Sequence, residues 1–138
     1  MKIPEKFQFV EVELGYPFSL LDNSCYCDKN EVWNYKGINI GSEFSLLHKA
    51  IVISPKRLNK LPIIIPLTSY KVKRNGKTNL TDDRFIITPK DYHILRNDTV
   101  VLVDGIKTID YRRIINIYKI HLKKEHQEEI FNKLKNII

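Results

Sequence analysis

The sequence predicts a mainly β domain closed by a single C-terminal helix, in which about five to seven short strands make a small, strongly bent sheet or barrel. Two observations carry this prediction. Short apolar runs rich in β-branched residues, each bounded by Pro or Gly, recur between Ala50 and Val103, and such runs favour buried strands over helix. Only Lys124–Ile138 repeats its apolar residues at helical spacing over a long stretch.

Taken in order, Val10, Val12 and Leu14 alternate with Glu11 and Glu13 behind Phe7 and Phe9. A period of two predicts a short half-buried strand. Residues 15–37 hold Gly15, Pro17, Asp22-Asn23-Ser24 and Asp28-Lys29-Asn30 and read as a long loop, with Trp33 and Tyr35 as its anchors. Gly37 and Gly41 mark a second loop. Ala50-Ile51-Val52-Ile53, stopped by Ser54-Pro55, is a strand. So is Leu61–Leu67, whose Pro62 and Pro66 set its ends at an edge or a bulge.

Asn75-Gly76 puts a turn into the polar, basic stretch 70–77. Phe85-Ile86-Ile87-Thr88, ended by Pro89, and Thr99–Val103, broken by Gly105, are further strands; Pro89–Tyr92 can open one helical turn. Ile106–Ile109 is too short to classify by period, and Arg112–Ile115 suggests one more short element. In the final helix Ile130, Leu134, Ile137 and Ile138 form one stripe, widened by Phe131. Glu125, Glu128 and Glu129 come early and Lys133 and Lys135 late, as the helix dipole favours.

The 138 residues fit one domain, and 43% hydrophobic with 28% charged residues is ordinary for a soluble globular protein. There is no internal repeat and no linker between two cores. No apolar run approaches the ~18 residues that cross a bilayer, and the first residues lack the apolar stretch of a secretory signal, so the expected location is cytoplasmic. Cys25 and Cys27 have no second pair to complete a zinc site, and His48, His93, His121 and His126 are scattered. Two reduced thiols, no metal and no cofactor are expected.

The net charge is +7, and its distribution says more than its sum. Residues 1–45 hold four Lys/Arg against seven Asp/Glu, a net −3, whereas residues 46–138 hold nineteen against nine, a net +10. No carboxylate lies between Glu43 and Asp82, a stretch that carries Lys49, Lys56, Arg57, Lys60, Lys71, Lys73, Arg74 and Lys77. Such a field concentrates polyanions and speeds their encounter. A solubilising basic surface is the other reading of the same charges.

The order of motifs from Gly41 to Asp110 resembles the MazF/PemK family. Members carry a G-S-E loop, an R-P pair opening a strand that ends V-I-S, an Asn, an apolar strand ending P-[IL]-T-[ST], a segment L-[DE]-x-[IV]-[RK]-[ST]-I-D, and a closing amphipathic helix. The corresponding residues here are Gly41-Ser42-Glu43, Ala50-Ile51-Val52-Ile53-Ser54, Asn59, Pro66-Leu67-Thr68-Ser69 and Leu102–Asp110. Glu31-Val32-Trp33 partly matches the family's first strand, so the resemblance covers about residues 31–138. It implies an SH3-like small β-barrel with a C-terminal helix, usually a homodimer. It also implies a toxin paired with a cognate antitoxin protein: a metal-independent endoribonuclease that cuts single-stranded RNA through the RNA's own 2′-hydroxyl, leaving 2′,3′-cyclic phosphate and 5′-hydroxyl ends. The alternative is a catalytically inactive RNA- or protein-binding module of the same fold.

This chemistry needs a base for the 2′-OH proton, an acid for the 5′-oxygen, and groups that stabilise an anionic phosphorane. Where the family has its catalytic Arg-Pro, this chain has His48-Lys49. Two outcomes stand. Either His48 serves as general acid/base, as imidazole can near neutrality, with Lys49 supplying positive charge; or the site is weakened, because neither residue grips phosphate through a planar fork as Arg does. Thr68 matches the family's Thr or Ser, whose hydroxyl can donate to a phosphate oxygen. Glu43 matches the loop carboxylate, a proton acceptor or merely a loop-folding group. Ser69, Tyr70, Lys71, Lys73 and Arg74 follow Thr68 and, with Lys56 and Arg57, are the expected RNA contacts, Tyr70 by stacking on a base; a solvated loop is the other reading. Residues 1–30 depart from the pattern and read as a divergent N-terminal extension or insertion within a single 1–138 domain, and the negative balance of residues 1–45 could lay this end over the basic face.

Overall fold

The structure, a computed structural model, describes residues 3–14, 16–17, 38–39 and 47–138. Its strands are β1 (Gln8–Glu13), β2 (Tyr16–Pro17), β3 (Ile38–Asn39), β4 (Leu47–Val52), β5 (Ile63–Ser69), β6 (Phe85–Ile87), β7 (Thr99–Val101), β8 (Lys107–Thr108) and β9 (Ile114–His121), followed by helix α1 (Lys124–Ile137). Seven of them form one antiparallel sheet in the order β6-β7-β5-β4-β1-β9, with β8 also on β5. β2 and β3 pair with each other in parallel. The expected class, mainly β with a C-terminal helix, is the one observed.

Alternation along each strand divides the core between the two faces of the sheet. Phe9, Ile51, Ile65, Leu67 and Val101 point to one side, where Phe85, Tyr92, Leu95, Leu122 and Ile130 complete a cluster. Val10, Val12, Ala50, Val52 and Ile64 point to the other, with Ile109 and the partly buried Ile114 and Ile117. β1 is therefore buried on both faces rather than half-buried, because Phe9 packs into the first cluster and Val10 and Val12 into the second, while β4 and β9 pair along its edges. The residue just before β1 sets the chain's entry into the sheet. Phe7 holds φ at 67°, a strained value for a bulky residue; its N–H donates to Val52 O, and its own carbonyl accepts from Leu122 N.

Pro66 lies inside β5, not at its end as the sequence suggested. Its carbonyl accepts from Leu102 N, so its missing N–H faces the same edge. That edge is where β7 and β8 are separated by the 3-10 turn Val103–Gly105, and no ladder bond is lost there. Strand Thr99–Val103 accordingly stops at Val101. The possible helical turn at Pro89–Tyr92 is a single hydrogen-bonded turn.

α1 lies on the first cluster through Ile130 and Leu134, and Phe131 meets Phe7 edge-on at 5.8 Å. The helix stripe read from sequence is only half used: Ile137 and Ile138 are exposed. The helix start is latched by Tyr92, whose phenol oxygen accepts from Lys123 N at 2.8 Å and lies 2.6 Å from His126 Nδ1. Burial pushes that phenol's pKa up. No helix among the described residues is long and apolar enough to cross a membrane. Cys25, Cys27, Trp33, Tyr35 and Glu43 lie outside the described residues.

Candidate active site

The antiparallel turn-back of β4 and β5 brings the start of one strand beside the end of the other. Ala50 pairs with Pro66 where the ladder ends, and beyond it His48 still reaches the Leu67 carbonyl, next to Thr68. A cleft of about 290 Å³ opens at this end of the sheet. It is lined by Leu47, His48 and Lys49 from β4, Leu67, Thr68 and Ser69 from β5, the turn Leu95–Asn97, and Thr99. Alternation points His48 and Thr68 to one face and Lys49 and Ser69 to the other; the cleft receives all four because it lies where the strands end. None of these lining residues is a carboxylate.

His48 Nδ1 lies 3.1 Å from the Leu67 carbonyl oxygen. A carbonyl can only accept, so Nδ1 carries the proton. In the neutral ring the lone pair is then on Nε2, and in the charged ring Nε2 is an acid. The backbone of the strand that carries Thr68 thus fixes the tautomer of His48. Lys49 stands opposite Glu11 of β1, whose carboxylate accepts from Tyr118 Oη at 3.2 Å.

The basic loop begins where β5 ends. Tyr70 N donates to Asp98 O, and Lys73 N to Lys77 O across a hairpin whose Gly76 has φ 81°, a left-handed value that glycine adopts at little cost. Asn79 staples the loop back to the strand: its amide oxygen accepts from Lys71 N at 3.0 Å and its amide nitrogen donates to Ser69 O at 2.8 Å. Arg84 holds the far side, forking onto both carboxylate oxygens of Asp104 and donating to Asn79 O. Lys71, Lys73 and Arg74 are exposed beyond Ser69 and make no ion pair among the described residues.

Of the residues singled out from sequence, the structure brings His48, Lys49, Thr68 and Ser69 into one cleft and sets Tyr70, Lys71, Lys73 and Arg74 just outside it. Lys56 and Arg57 lie in a 3-10 turn beyond the opposite end of β4, where Lys56 pairs with Glu5 at 3.7 Å. The Leu102–Asp110 motif acts as scaffold: Leu102 and Val103 are buried, Asp104 holds Arg84, and Asp110 accepts from Arg112 N to cap the next turn. The Arg112 guanidinium on the Asp110 carboxylate lowers its pKa to about 2. Arg96, Asn97 and Thr99 were not foreseen. Their polar run reads only as a loop before a strand, and which strand end that loop meets depends on the topology.

A family model described as a PemK-like, MazF-like toxin of type II toxin-antitoxin system matches residues 29–138. Among solved structures the chain is similar to MazF (Form-I) from Deinococcus radiodurans, with 18% identity and a TM-score of 0.63 over 99% of this chain and 97% of that one. At this identity the likeness is one of fold. No curated protein sequence matches.

Proposed function

Because this chain belongs to the PemK-like, MazF-like toxins of type II toxin-antitoxin systems, we propose that it is an endoribonuclease that cuts single-stranded RNA without a metal ion. The observation that carries the reading is the cleft where His48, held by Leu67 O, meets Lys49, Thr68 and Ser69 beside a carboxylate-free basic loop.

Neutral His48 takes the 2′-OH proton on Nε2 as the 2′-oxygen attacks phosphorus. The P–O5′ bond breaks on the opposite side, so a second group must supply the 5′-oxygen with its proton; the Lys49 ammonium or water does this. Thr68 and Ser69 hydroxyls donate to the non-bridging oxygens. The products are a 2′,3′-cyclic phosphate and a 5′-hydroxyl. Lys71, Lys73 and Arg74 hold the strand on either side of the cut, and Tyr70 offers a face on which a base can stack. An antitoxin protein with acidic surface is the natural partner for such a cleft, and a second copy of the chain a further one. The working compartment is the cytoplasm, where RNA is.

The test is incubation of the purified protein with single-stranded RNAs of varied sequence in EDTA, followed by end-group analysis. Cleavage to the two named ends is expected, and His48→Ala or Thr68→Ala should slow it by about a hundredfold or more, the usual loss for an acid–base or oxyanion-stabilising group. Expression should arrest growth of the host cell, and the same substitutions should relieve the arrest. Intact RNA across all sequences would leave the inactive binding module as the better account, and cleavage only with added divalent metal would contradict the mechanism.

A further inference from the structure

Resting on the nuclease reading above, we propose that Arg96 is a catalytic residue whose guanidinium binds the non-bridging oxygens of the scissile phosphodiester. The transition state places negative charge on two such oxygens at once. In the cleft, His48 and Lys49 offer one point of contact each. A guanidinium offers two parallel N–H donors in a fixed fork that matches a phosphate edge.

The chain has six arginines. Arg84 and Arg112 are forked onto Asp104 and Asp110, and Arg113 donates to Glu13 O. Arg57 lies beyond the far end of β4, and Arg74 in the basic hairpin. Arg96 alone lines the cleft. It makes no hydrogen bond or ion pair among the described residues, and none of the described residues lining the cleft is a carboxylate.

Its backbone is held on both sides. Leu95 is buried in the core and its N–H donates to Tyr92 O. Thr99 pairs with Ser69 and its hydroxyl donates to Asn97 O, while Asp98 O accepts from Tyr70 N. The turn bearing Arg96 is thereby latched to the strand bearing Thr68 and Ser69. A held backbone and a guanidinium with no partner among the described residues suit an oxyanion site.

The test compares wild type with Arg96→Ala and Arg96→Lys in EDTA, measuring single-turnover cleavage and, separately, the Kd for the same RNA made uncleavable by 2′-O-methylation. Arg96→Ala should cut about a hundredfold to a thousandfold more slowly, with a smaller change in Kd. Arg96→Lys, which keeps the charge and the solubility, should recover less than about a tenth of the lost rate, because the fork is absent. Millimolar free guanidinium ion should restore part of the Arg96→Ala rate, a rescue that a structural role does not give. Arg96→Ala cutting as fast as wild type overturns the assignment alone. A loss confined to Kd overturns it too and moves Arg96 to a flanking phosphate. Wild-type protein that leaves every RNA intact overturns the nuclease reading and this assignment with it.

Discussion

His48 has two nitrogens with separable duties, and substitution can part them. Asn places its amide nitrogen near the position of Nδ1 and can keep the bond to Leu67 O, while leaving nothing at Nε2. His48→Asn should therefore fold with a melting temperature near that of wild type and lose cleavage by about a hundredfold or more. A variant that both folds and cuts normally would remove His48 from the chemistry. His48, Lys49 and Thr68 were legible in the sequence because each lies in an ordered series of motifs. Arg96 was not, since the cleft joins it to them only after β7 has paired with β5. Lys56 and Arg57 shared the basic stretch with the cleft residues, yet the strand pair carries them to its other end.

At the scale of elements, the side chain of Asn79 ties the loop 70–81 to the end of β5. Asn79→Ala removes the side-chain bond to Ser69 O that ties the loop to β5 and the bond from Lys71 N that closes the loop on itself; these are exposed, so global stability should fall by only about 1 kcal/mol. RNA affinity should fall more visibly, because the lysines then have to be ordered on binding; unchanged affinity would show that the staple does not matter to RNA. Asp110 gives an acid-side prediction. Its carboxyl pKa lies below the ordinary value of 3.8, at about 2, so the folded state prefers the ionised form. That contribution is fully present above about pH 4 and is lost as pH falls through about 2; a carboxyl NMR titration of Asp110 near 3.8 would contradict it. The N-terminal strand was legible from its alternation, but not that it lies between β4 and β9. Residues 1–14 therefore cannot be removed as an ornament: a truncated chain lacking them exposes the β4 and β9 edges and loses Phe9, Val10 and Val12, and no soluble folded protein is expected from its expression. β9 was read only as a short element at Arg112–Ile115, though it is the longest strand among the described residues. Two register irregularities against β1 break its period of two, so Ile114 and Ile117 turn to one cluster and Tyr118 and Ile120 to the other.

Across the whole molecule, charge and fold act together. The fold gathers Lys49, Lys71, Lys73, Arg74 and Arg96 at one end of the sheet, and these are the cations expected on phosphate. Log Kd for single-stranded RNA should rise with log salt with a slope of about 0.7 per phosphate contact, and Lys71→Ala should lower that slope by about one such step. Lys56→Ala should leave it nearly unchanged, since Lys56 faces Glu5 at the other end. The idea that the acidic N-terminal third covers the basic face falls on residues outside those described, except that Glu5 and Glu11 already contact Lys56 and Tyr118.

In the proposed reaction, this end of the sheet cuts RNA using the RNA's own 2′-hydroxyl. One measurement reaches it directly: wild-type protein in EDTA with a single-stranded RNA it cleaves, set beside the same sequence carrying a 2′-deoxy sugar at the cleaved nucleotide. Cutting of the first is expected, and none of the second at that bond. Equal cutting of both would mean that water or another nucleophile attacks the phosphorus, and the roles given to His48, Thr68 and Arg96 would fall together.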